Sequence, residues 1–337
     1  MRAITVVPRD AGSVAVEDVE EPSEEEGALL VRGRLLGVCG TDREIAEGLF
    51  GIPPEDDPEL VLGHELLGVV ERDGAGFARG DLVTAIVRRA CGHCVACAEN
   101  SPDACLTGDY SERGITRLHG FARELVLEDP TQLIPIPPSL GRLGVLAEPT
   151  SICARALRHA LTIGGRQPWE PRRALVIGAG AIGLLTTMLL RQHDFDVTVT
   201  SRGESSPIAE ALGARYERDA DGTFDLIVEA AGNAQLMVDT LARLGRSGVA
   251  CLLGLDGRDQ KVELDGRVVG IDTVLENRVL FGSVNAHRRD WLAGVEALAR
   301  ADREPLEQLV GLRVPLDRFA DAFAFRGGKA TLVVSDA

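Results

Sequence analysis

The chain has 337 residues, which is long for one domain and sufficient for two. Hydrophobic residues make up 45% and charged residues 26%, so the composition excludes a disordered chain, a coiled coil and a collagen-like repeat. A formal net charge of −16 disfavours nucleic acid and acidic membrane surfaces as partners. The N-terminus carries no apolar segment of signal-peptide length, and we expect a cytoplasmic protein.

The N-terminal part of the chain has the pattern of a barrel of short strands, because apolar runs alternate with clusters of Gly, Pro and Asp. Strands are predicted at 3–7, 29–38, 68–70 and 82–87. The pattern then changes at 151–163, where apolar residues recur at helical spacing.

Strands and helices alternate from Arg173 onward. The predicted strands lie at 174–178, 196–201, 224–232 and 248–255. The predicted helices lie at 181–192, 206–214 and 234–244. This alternation indicates an α/β domain with a doubly wound parallel sheet. The tail returns to mixed character, with a helix at 291–300 and a strand at 330–334.

A glycine-rich turn, GAGAIG at 178–183, follows the first of these strands and opens the next helix. In this context Gly178 permits a tight turn, Gly180 lets a pyrophosphate approach the backbone, and Gly183 lets the helix pack on the strand. The phosphates of a dinucleotide would then lie at a helix N-terminus, which favours anions. A Gly-rich turn without a ligand is the alternative.

The end of the next strand, TVTSRG at 198–203, carries no acid to bind the ribose hydroxyls of NAD. Ser201 can donate a hydrogen bond to a 2′-phosphate, and Arg202 can pair with it or stack on the adenine. We therefore predict a preference for NADP, with NAD as an accepted alternative.

Four cysteines have the spacing C-x2-C-x2-C-x7-C, at Cys91, Cys94, Cys97 and Cys105. Two-residue gaps let successive thiolates converge on one ion, and four thiolates complete a closed tetrahedral zinc site. Such a site leaves no open position and is therefore structural. The alternatives are four plain buried thiols, or an iron–sulfur cluster, although the usual spacings of such clusters differ.

A second group of metal-binding residue types is dispersed over three short motifs: GVCGTD at 37–42, GHE at 63–65 and AEP at 147–149. A lone Cys39 is usually a buried hydrophobic residue and a lone His64 a structural one, but together with a dinucleotide site and a thiolate lobe the motifs suggest a catalytic zinc, since such sites use a few Cys, His and carboxylate ligands. Such a site keeps one position open for water or substrate.

These motifs resemble those of the zinc-dependent medium-chain alcohol dehydrogenases, in the same order along most of the chain. Within that family the chain is most similar to the archaeal-type glucose 1-dehydrogenases. The motifs that carry this similarity are VRRACGHC at 87–94, YSERGI at 110–115, HGF at 119–121, LAEP at 146–149 and GSVNA at 282–286.

The resemblance implies a GroES-like β-barrel catalytic domain formed by residues 1–152 and 287–337, with the zinc lobe at about 88–108. It implies a Rossmann nucleotide-binding domain at 153–286. The predicted cofactor contacts are Gly178, Gly180, Ala181, Ile182, Gly183, Ser201, Arg202 and Asn285.

The resemblance also assigns roles around the catalytic zinc. Cys39 and His64 would bind the ion, with Glu65 and Glu148 as further ligands or close neighbours of the ligands. Thr41 would relay the hydroxyl proton. The residues implied to bind the substrate are Thr41, Glu112, Glu148, Asn285 and His287.

The expected reaction is the oxidation of an aldose to an aldonolactone by hydride transfer to NAD(P)⁺. A dehydrogenase of another polyol, cyclitol or aminosugar is the alternative within the class. Rivals from other classes are a zinc-independent enone or quinone reductase and a non-enzymatic zinc-binding module. The apolar segment VLFGSV at 279–284 is expected to pair with a second copy, giving a dimer or tetramer.

Overall fold

A computed structural model describes residues 1–23 and 27–335. Its strands are β1 (Arg2–Val6), β2 (Ala15–Asp18), β3 (Leu29–Val38), β4 (Leu60–Val61), β5 (Glu65–Val70), β6 (Leu82–Ala85), β7 (Arg88–Arg89), β8 (Ser111–Arg113), β9 (Arg117–Leu118), β10 (Leu125–Glu128), β11 (Leu133–Pro135), β12 (Arg173–Ile177), β13 (Asp196–Thr200), β14 (Arg215–Tyr216), β15 (Phe224–Glu229), β16 (Leu244–Leu252), β17 (Val279–Gly282), β18 (Leu312–Pro315) and β19 (Ala330–Val333).

The α-helices are α1 (Gly40–Ala46), α2 (Val95–Ala98), α3 (Ala147–Gly164), α4 (Ala181–Gln192), α5 (Pro207–Ala211), α6 (Ala234–Arg243), α7 (Thr273–Leu275), α8 (Arg288–Arg300), α9 (Arg303–Leu309) and α10 (Phe319–Ala324). Short 3₁₀-helices lie at Pro102–Ala104, Pro130–Gln132, Pro138–Leu146 and Leu316–Arg318, and a π-helical turn lies at Val268–Asp272. No helix within the described residues is long and apolar enough to cross a membrane.

The chain divides into two compact units. The first comprises Met1–Ser151, Asn285–Arg300 and Leu309–Ala337, and the second comprises Ile152–Val284 and Ala301–Gln308. Residues 301–308, which include all of α9 except Leu309, therefore group with the second unit, although the resemblance places them in the catalytic domain.

In the first unit, the central sheet has the order β11-β6-β5-β3-β19-β18, and β10 also pairs with β3. Its core consists of buried aliphatic and aromatic side chains, among them Val31, Leu36, Leu66, Phe121 and Leu332. The long strand β3 has β5 on one side and β19 on the other, so three distant parts of the sequence meet along it.

The second unit contains a six-stranded sheet in the order β14-β13-β12-β15-β16-β17, with every pair parallel. Counted along this unit the order is 3-2-1-4-5-6, which is the doubly wound order of dinucleotide-binding domains. The predicted α/β class, with a GroES-like domain and a Rossmann sheet, is confirmed. The switch in strand order lies between β12 and β15, where such sheets bind ligands.

Candidate active site

The predicted zinc ligands Cys39 and Glu65 meet beside the C-terminal end of β3. Register pairs Gly37 with Glu65 of β5 and Val38 with Ala330 of β19. Cys39 follows directly and is the N-cap of α1, and His64 precedes β5 by one residue. The sheet therefore brings the side chains of Cys39, His64 and Glu65 together, although they come from two separate parts of the chain.

Cys39 and His64 face each other directly, with 3.1 Å between Sγ and Nε2. On the other side of the ring, Asp42 Oδ1 lies 3.4 Å from Nδ1. Asp42 also accepts a hydrogen bond from the Cys39 backbone N–H at 2.9 Å, so one buried carboxylate fixes both groups. Burial lowers the pKa of His64, but Cys39 and Asp42 outweigh burial and raise it well above its usual value.

Glu65 is paired with a lysine from the far end of the sequence. Lys329 Nζ donates to both carboxylate oxygens, at 2.6 and 2.7 Å, and both side chains are almost fully buried. A Cβ on Gly37 would lie 2.0 Å from Glu65 Oε2, so only glycine leaves room for this carboxylate. Burial lowers the pKa of Lys329, but Glu65 and then Cys39 raise it above the ordinary value.

Glu148 and Thr41 lie at the first turns of two helices near this cluster. Glu148 is buried in the first turn of α3, and its pKa is raised to about 7, first by burial and then, among its charged neighbours, by Glu65. His64 and Lys329 act in the opposite direction. Thr41 is half-buried in the first turn of α1, two residues after Cys39.

The donor set fits zinc. The ligand atoms of Cys39, His64 and Glu65 all lie within 4.8 Å of one another, and Glu148 is outside this group. A thiolate, an imidazole and a carboxylate are the ligand types of zinc sites, at bond lengths of about 2.0–2.3 Å. The contact of Asp42 with Nδ1 leaves Nε2 as the metal-binding nitrogen, as in carboxylate–histidine–zinc arrangements.

The four-cysteine lobe also brings its thiols together. Sγ atoms lie 3.4 Å apart between Cys94 and Cys97 and 3.8 Å apart between Cys91 and Cys97, and all four thiols lie within 4.8 Å of one another. The pKa of Cys97 rises to about 12, first because of burial and then because of its bonds to neighbouring thiols. A divalent cation would allow such crowded thiolates to ionise together, so the lobe fits a structural zinc.

The glycine turn has the geometry that its sequence predicts. Gly178 has φ +111°, and a Cβ there would lie 2.9 Å from the Ala230 backbone. A Cβ on Gly183 would lie 1.8 Å from the Gly178 carbonyl oxygen. Gly180, the N-cap of α4, has open space around it, which is what an approaching pyrophosphate requires. Ala181 and Ile182 follow in the first turn of α4 and are half-buried.

At the end of β13, Ser201 is held by a tyrosine from the neighbouring strand. Its Oγ lies 2.9 Å from the Tyr216 hydroxyl, and the Gly203 backbone N–H donates to it at 3.3 Å. Arg202 is exposed beside it. The turn therefore offers a fixed hydroxyl and an adjacent guanidinium.

Two predicted substrate residues, Glu112 and Asn285, are in contact although 173 positions separate them. Asn285 Nδ2 donates to Glu112 Oε1 at 3.3 Å, and Arg88 Nε donates to the same oxygen at 3.0 Å. Glu112 is thus a held carboxylate, not a freely solvated one.

His287 is occupied by protein contacts. Its Nε2 lies 2.9 Å from the Asn100 carbonyl oxygen, and its Nδ1 accepts the Arg289 backbone N–H at 3.1 Å. Both ring nitrogens therefore have protein partners, and the side chain connects the residue before α8 to the lobe.

The sequence did not predict a role for five residues that the structure places in or beside these sites. Asp42 stood inside the GVCGTD motif, and Arg88 inside VRRACGHC. Lys329 is one of two lysines in a chain whose other cations are arginines, which is a signal of a special position. Tyr216 and Glu229 left no signal; Glu229 is fully buried at the end of β15, and its Oε1 accepts the Ala231 N–H at 2.9 Å.

Comparison with known proteins gives two family matches. Residues 141–335 match the glucose dehydrogenase C-terminus model, and residues 25–138 match the alcohol dehydrogenase GroES-like domain model. Among curated proteins, the glucose 1-dehydrogenase of Methanocella arvoryzae is 39% identical over 94% of each chain, and glucose 1-dehydrogenase 1 of Caldivirga maquilingensis is 39% identical over 96% of each.

Among solved structures, the glucose dehydrogenase of Haloferax mediterranei in complex with NADP, Zn and gluconolactone matches with a TM-score of 0.91. It is 32% identical, and the match covers 100% of both chains. The first family model spans more than half of this chain, and the relatives match along nearly their whole length. The chain therefore belongs to the glucose dehydrogenase family of the zinc-dependent, GroES-like alcohol dehydrogenases.

Proposed function

We propose that this protein is a zinc-dependent dehydrogenase that oxidises glucose at its anomeric hydroxyl to gluconolactone, with NADP as the hydride acceptor. The observation that carries the proposal is the Cys39–His64 pair, with its metal-binding atoms 3.1 Å apart and Asp42 behind the imidazole. It is supported by the similarity to glucose 1-dehydrogenases along almost the whole chain.

Cys39 and His64 would hold the catalytic zinc, and the four cysteines of the lobe would hold the structural one. When bound, the catalytic zinc supplies a Lewis acid that lowers the pKa of a substrate hydroxyl, and the nicotinamide supplies the hydride acceptor. Asp42 keeps the imidazole in the orientation that leaves Nε2 free for the ion.

Two carboxylates have separate tasks in this proposal. Lys329 holds both oxygens of Glu65 and balances its charge. Within the described residues no cation is hydrogen-bonded to Glu148, and in the metal-free protein burial raises its pKa to about 7, so a bound ion nearby would favour its charged form. The Thr41 hydroxyl, half-buried at the start of α1, passes the substrate proton outward.

Glu112 and Asn285 bind the sugar. A carboxylate accepts hydrogen bonds from two hydroxyl groups, and an amide both donates and accepts, so the pair suits a vicinal diol. Arg88 and Asn285 hold the carboxylate in one orientation before the sugar arrives, which reduces the ordering cost of binding.

The glycine turn binds the pyrophosphate through residues 178–183, including Ala181 and Ile182 at the start of α4. Ser201 and Arg202 recognise the 2′-phosphate of NADP. Asn285 directly follows the segment Ile152–Val284 of the second unit. We propose that it contacts the cofactor as well as the sugar.

Initial rates with a panel of substrates test the proposal: glucose, galactose, xylose, glucosamine, sorbitol and myo-inositol, each with NADP and with NAD. We expect glucose with NADP to give the highest kcat/KM and two zinc ions per chain by elemental analysis. Cys39→Ala and His64→Ala should abolish turnover and lose one zinc ion, with unchanged circular dichroism. His193→Ala, at the exposed end of α4, is the matched histidine control.

The panel also decides among the rivals. A preference for a polyol, cyclitol or aminosugar would support the zinc-dependent dehydrogenase reaction but refute glucose as the substrate. Near-normal turnover of glucose by Cys39→Ala would refute the catalytic-zinc mechanism. Absence of turnover on every alcohol, with zinc in the lobe alone, would favour a non-catalytic module.

We also propose that the protein forms a homo-oligomer in the cytoplasm. Strand β17 is at the edge of the six-stranded sheet, and nearby side chains of Val274, Leu275 and Leu280 are exposed. Pairing of β17 with a second copy would cover this edge. No disulfide joins any of the seven cysteines, all of which lie in the described part of the chain, and this suits a reducing compartment. Light scattering of the purified protein measures the number of copies.

A further inference from the structure

The guanidinium of Arg88 makes three contacts at once. Its Nε donates to Glu112 Oε1 at 3.0 Å, one terminal nitrogen donates to the Asp103 carbonyl oxygen at 3.2 Å, and its Cζ lies 3.8 Å from the centre of the Tyr110 ring. The side chain is only 10% exposed. A planar cation held on its edge and on its face has one orientation available, so it fixes the groups it binds.

These contacts join two sites that perform different tasks. Glu112 belongs to the proposed sugar site, whereas Asp103 lies in the lobe, two positions before the zinc ligand Cys105. One side chain therefore spans from the sugar-binding carboxylate to the backbone that carries a lobe thiolate.

A second connection runs between the same two regions. His287 binds the Asn100 carbonyl oxygen of the lobe, and Asn285, two residues before His287, binds Glu112. Arg88 thus connects Glu112 to Asp103, and the segment from Asn285 to His287 connects Glu112 to Asn100. The two connections share one atom, Glu112 Oε1.

We propose that Arg88 is a positioning residue for the sugar, and that the four-cysteine lobe sets the affinity for sugar through its contact with Arg88. The inference rests on the proposed function of Glu112 in sugar binding. An ordered lobe presents the Asp103 carbonyl to Arg88, which in turn holds Glu112 ready for sugar hydroxyls. By thermodynamic linkage, sugar bound at Glu112 must strengthen zinc binding in the lobe by the same factor.

The kinetic test uses Arg88→Met and Arg88→Lys in the zinc-loaded, full-length enzyme. Loss of a charge-assisted contact predicts an increase in the KM for glucose of about tenfold in Arg88→Met, with kcat and the KM for NADP changed less than about twofold. Lysine keeps the charge without the planar fork, and we expect only partial rescue.

Arg117→Met is the matched control. Arg117 pairs with Glu112 in the strand register, but its side chain is half-exposed and forms an ion pair with Asp109, at 3.6 Å, instead of with Glu112. It should leave the KM for glucose unchanged. The effects of Arg88→Met and Glu112→Gln should not add in the double variant, because both break the same interaction. Additive effects, or an unchanged glucose KM in Arg88→Met, would overturn the positioning role.

Zinc release gives a readout that does not depend on turnover. Titration with a chromophoric chelator measures the affinity for both zinc ions. The phase of zinc release that is missing in Cys94→Ser belongs to the lobe. In the wild type, glucose without cofactor should raise the lobe's zinc affinity several-fold. In Arg88→Met the same addition should have a much smaller effect, because only the connection through His287 and Asn285 remains. If glucose did not change the zinc affinity of the lobe in the wild-type protein, the proposed link between the two sites would be overturned.

The outcomes separate this inference from the function on which it rests. A wild-type protein that oxidises no sugar refutes the proposed function. A wild-type enzyme that oxidises glucose, with Arg88→Met retaining its glucose KM, refutes only the role of Arg88.

Discussion

Replacing Lys329 by methionine should destabilise the first unit strongly. Lys329 Nζ binds both oxygens of Glu65, at 2.6 and 2.7 Å, and the two side chains are 4% and 2% exposed. Removing one partner leaves a carboxylate buried without its cation, which costs about 3–5 kcal/mol. Removing both in Lys329→Met/Glu65→Leu should restore most of this loss, because no buried charge then remains.

Urea unfolding followed by tryptophan fluorescence measures the effect. The chain has two tryptophans, Trp291 buried in the first unit and Trp169 in the second, so a Trp169→Phe background reports on the first unit alone. A chelator in every sample removes stabilisation by bound metal.

Arg32→Met is the matched control, because the Arg32–Glu71 pair has the same 2.7 Å separation but side chains that are 31% and 24% exposed. Its loss should cost less than about 1 kcal/mol. If Lys329→Met cost no more than Arg32→Met, the reasoning from burial would be refuted.

Three further variants test the other sites. In metal-free protein, Glu148 holds a proton in the folded state up to its pKa of about 7 and in the unfolded state only to about 4.5, so its contribution to stability is complete below pH 4.5 and lost as the pH rises through 7. Unfolding between pH 5 and 8 should therefore show a flatter pH dependence in Glu148→Gln. Cys94→Ser should lose the lobe zinc and lower the Tm, measured by elemental analysis and calorimetry, because Cys94 is both a lobe thiol and the N-cap of α2. Arg202→Ala should reduce kcat/KM about tenfold for NADP and leave the value for NAD unchanged, since only NADP carries the 2′-phosphate.

The features that the sequence predicts best are local. The glycine turn, with its strand before and helix after, depends on conformational limits of a few adjacent residues, and α4 has the predicted bounds of 181–192. The lobe is likewise short, and its spacing alone brings the four thiols together. Strand β3 also matches its predicted range, because its burial pattern follows its apolar residues.

Contacts between distant parts of the chain could not be predicted from the sequence. Lys329 and Glu65 are 264 positions apart, and their contact depends on β19 pairing with β3 in one register among several. His287, which the resemblance implies as a substrate residue, has a protein partner at each ring nitrogen, and its role in substrate binding stays a prediction. Pattern and propensity do not specify such pairings.

The two acids beside Cys39 and His64 are similar in the sequence and different in the fold. The first, Glu65, has a lysine on both oxygens, and binding a metal through either oxygen would weaken that buried pair. Glu148 has a raised pKa because burial outweighs the opposite effects of His64 and Lys329, so an incoming divalent ion would relieve the cost of ionising it. The cost of burying an ionised carboxylate therefore has two consequences. It keeps Glu65 paired with Lys329, and it makes Glu148 the acid whose ionisation a bound metal ion would favour. For this reason we expect Glu148, although it lies outside the compact group of three donors, to be the carboxylate that would be available to a bound zinc, while Glu65 would stay with Lys329.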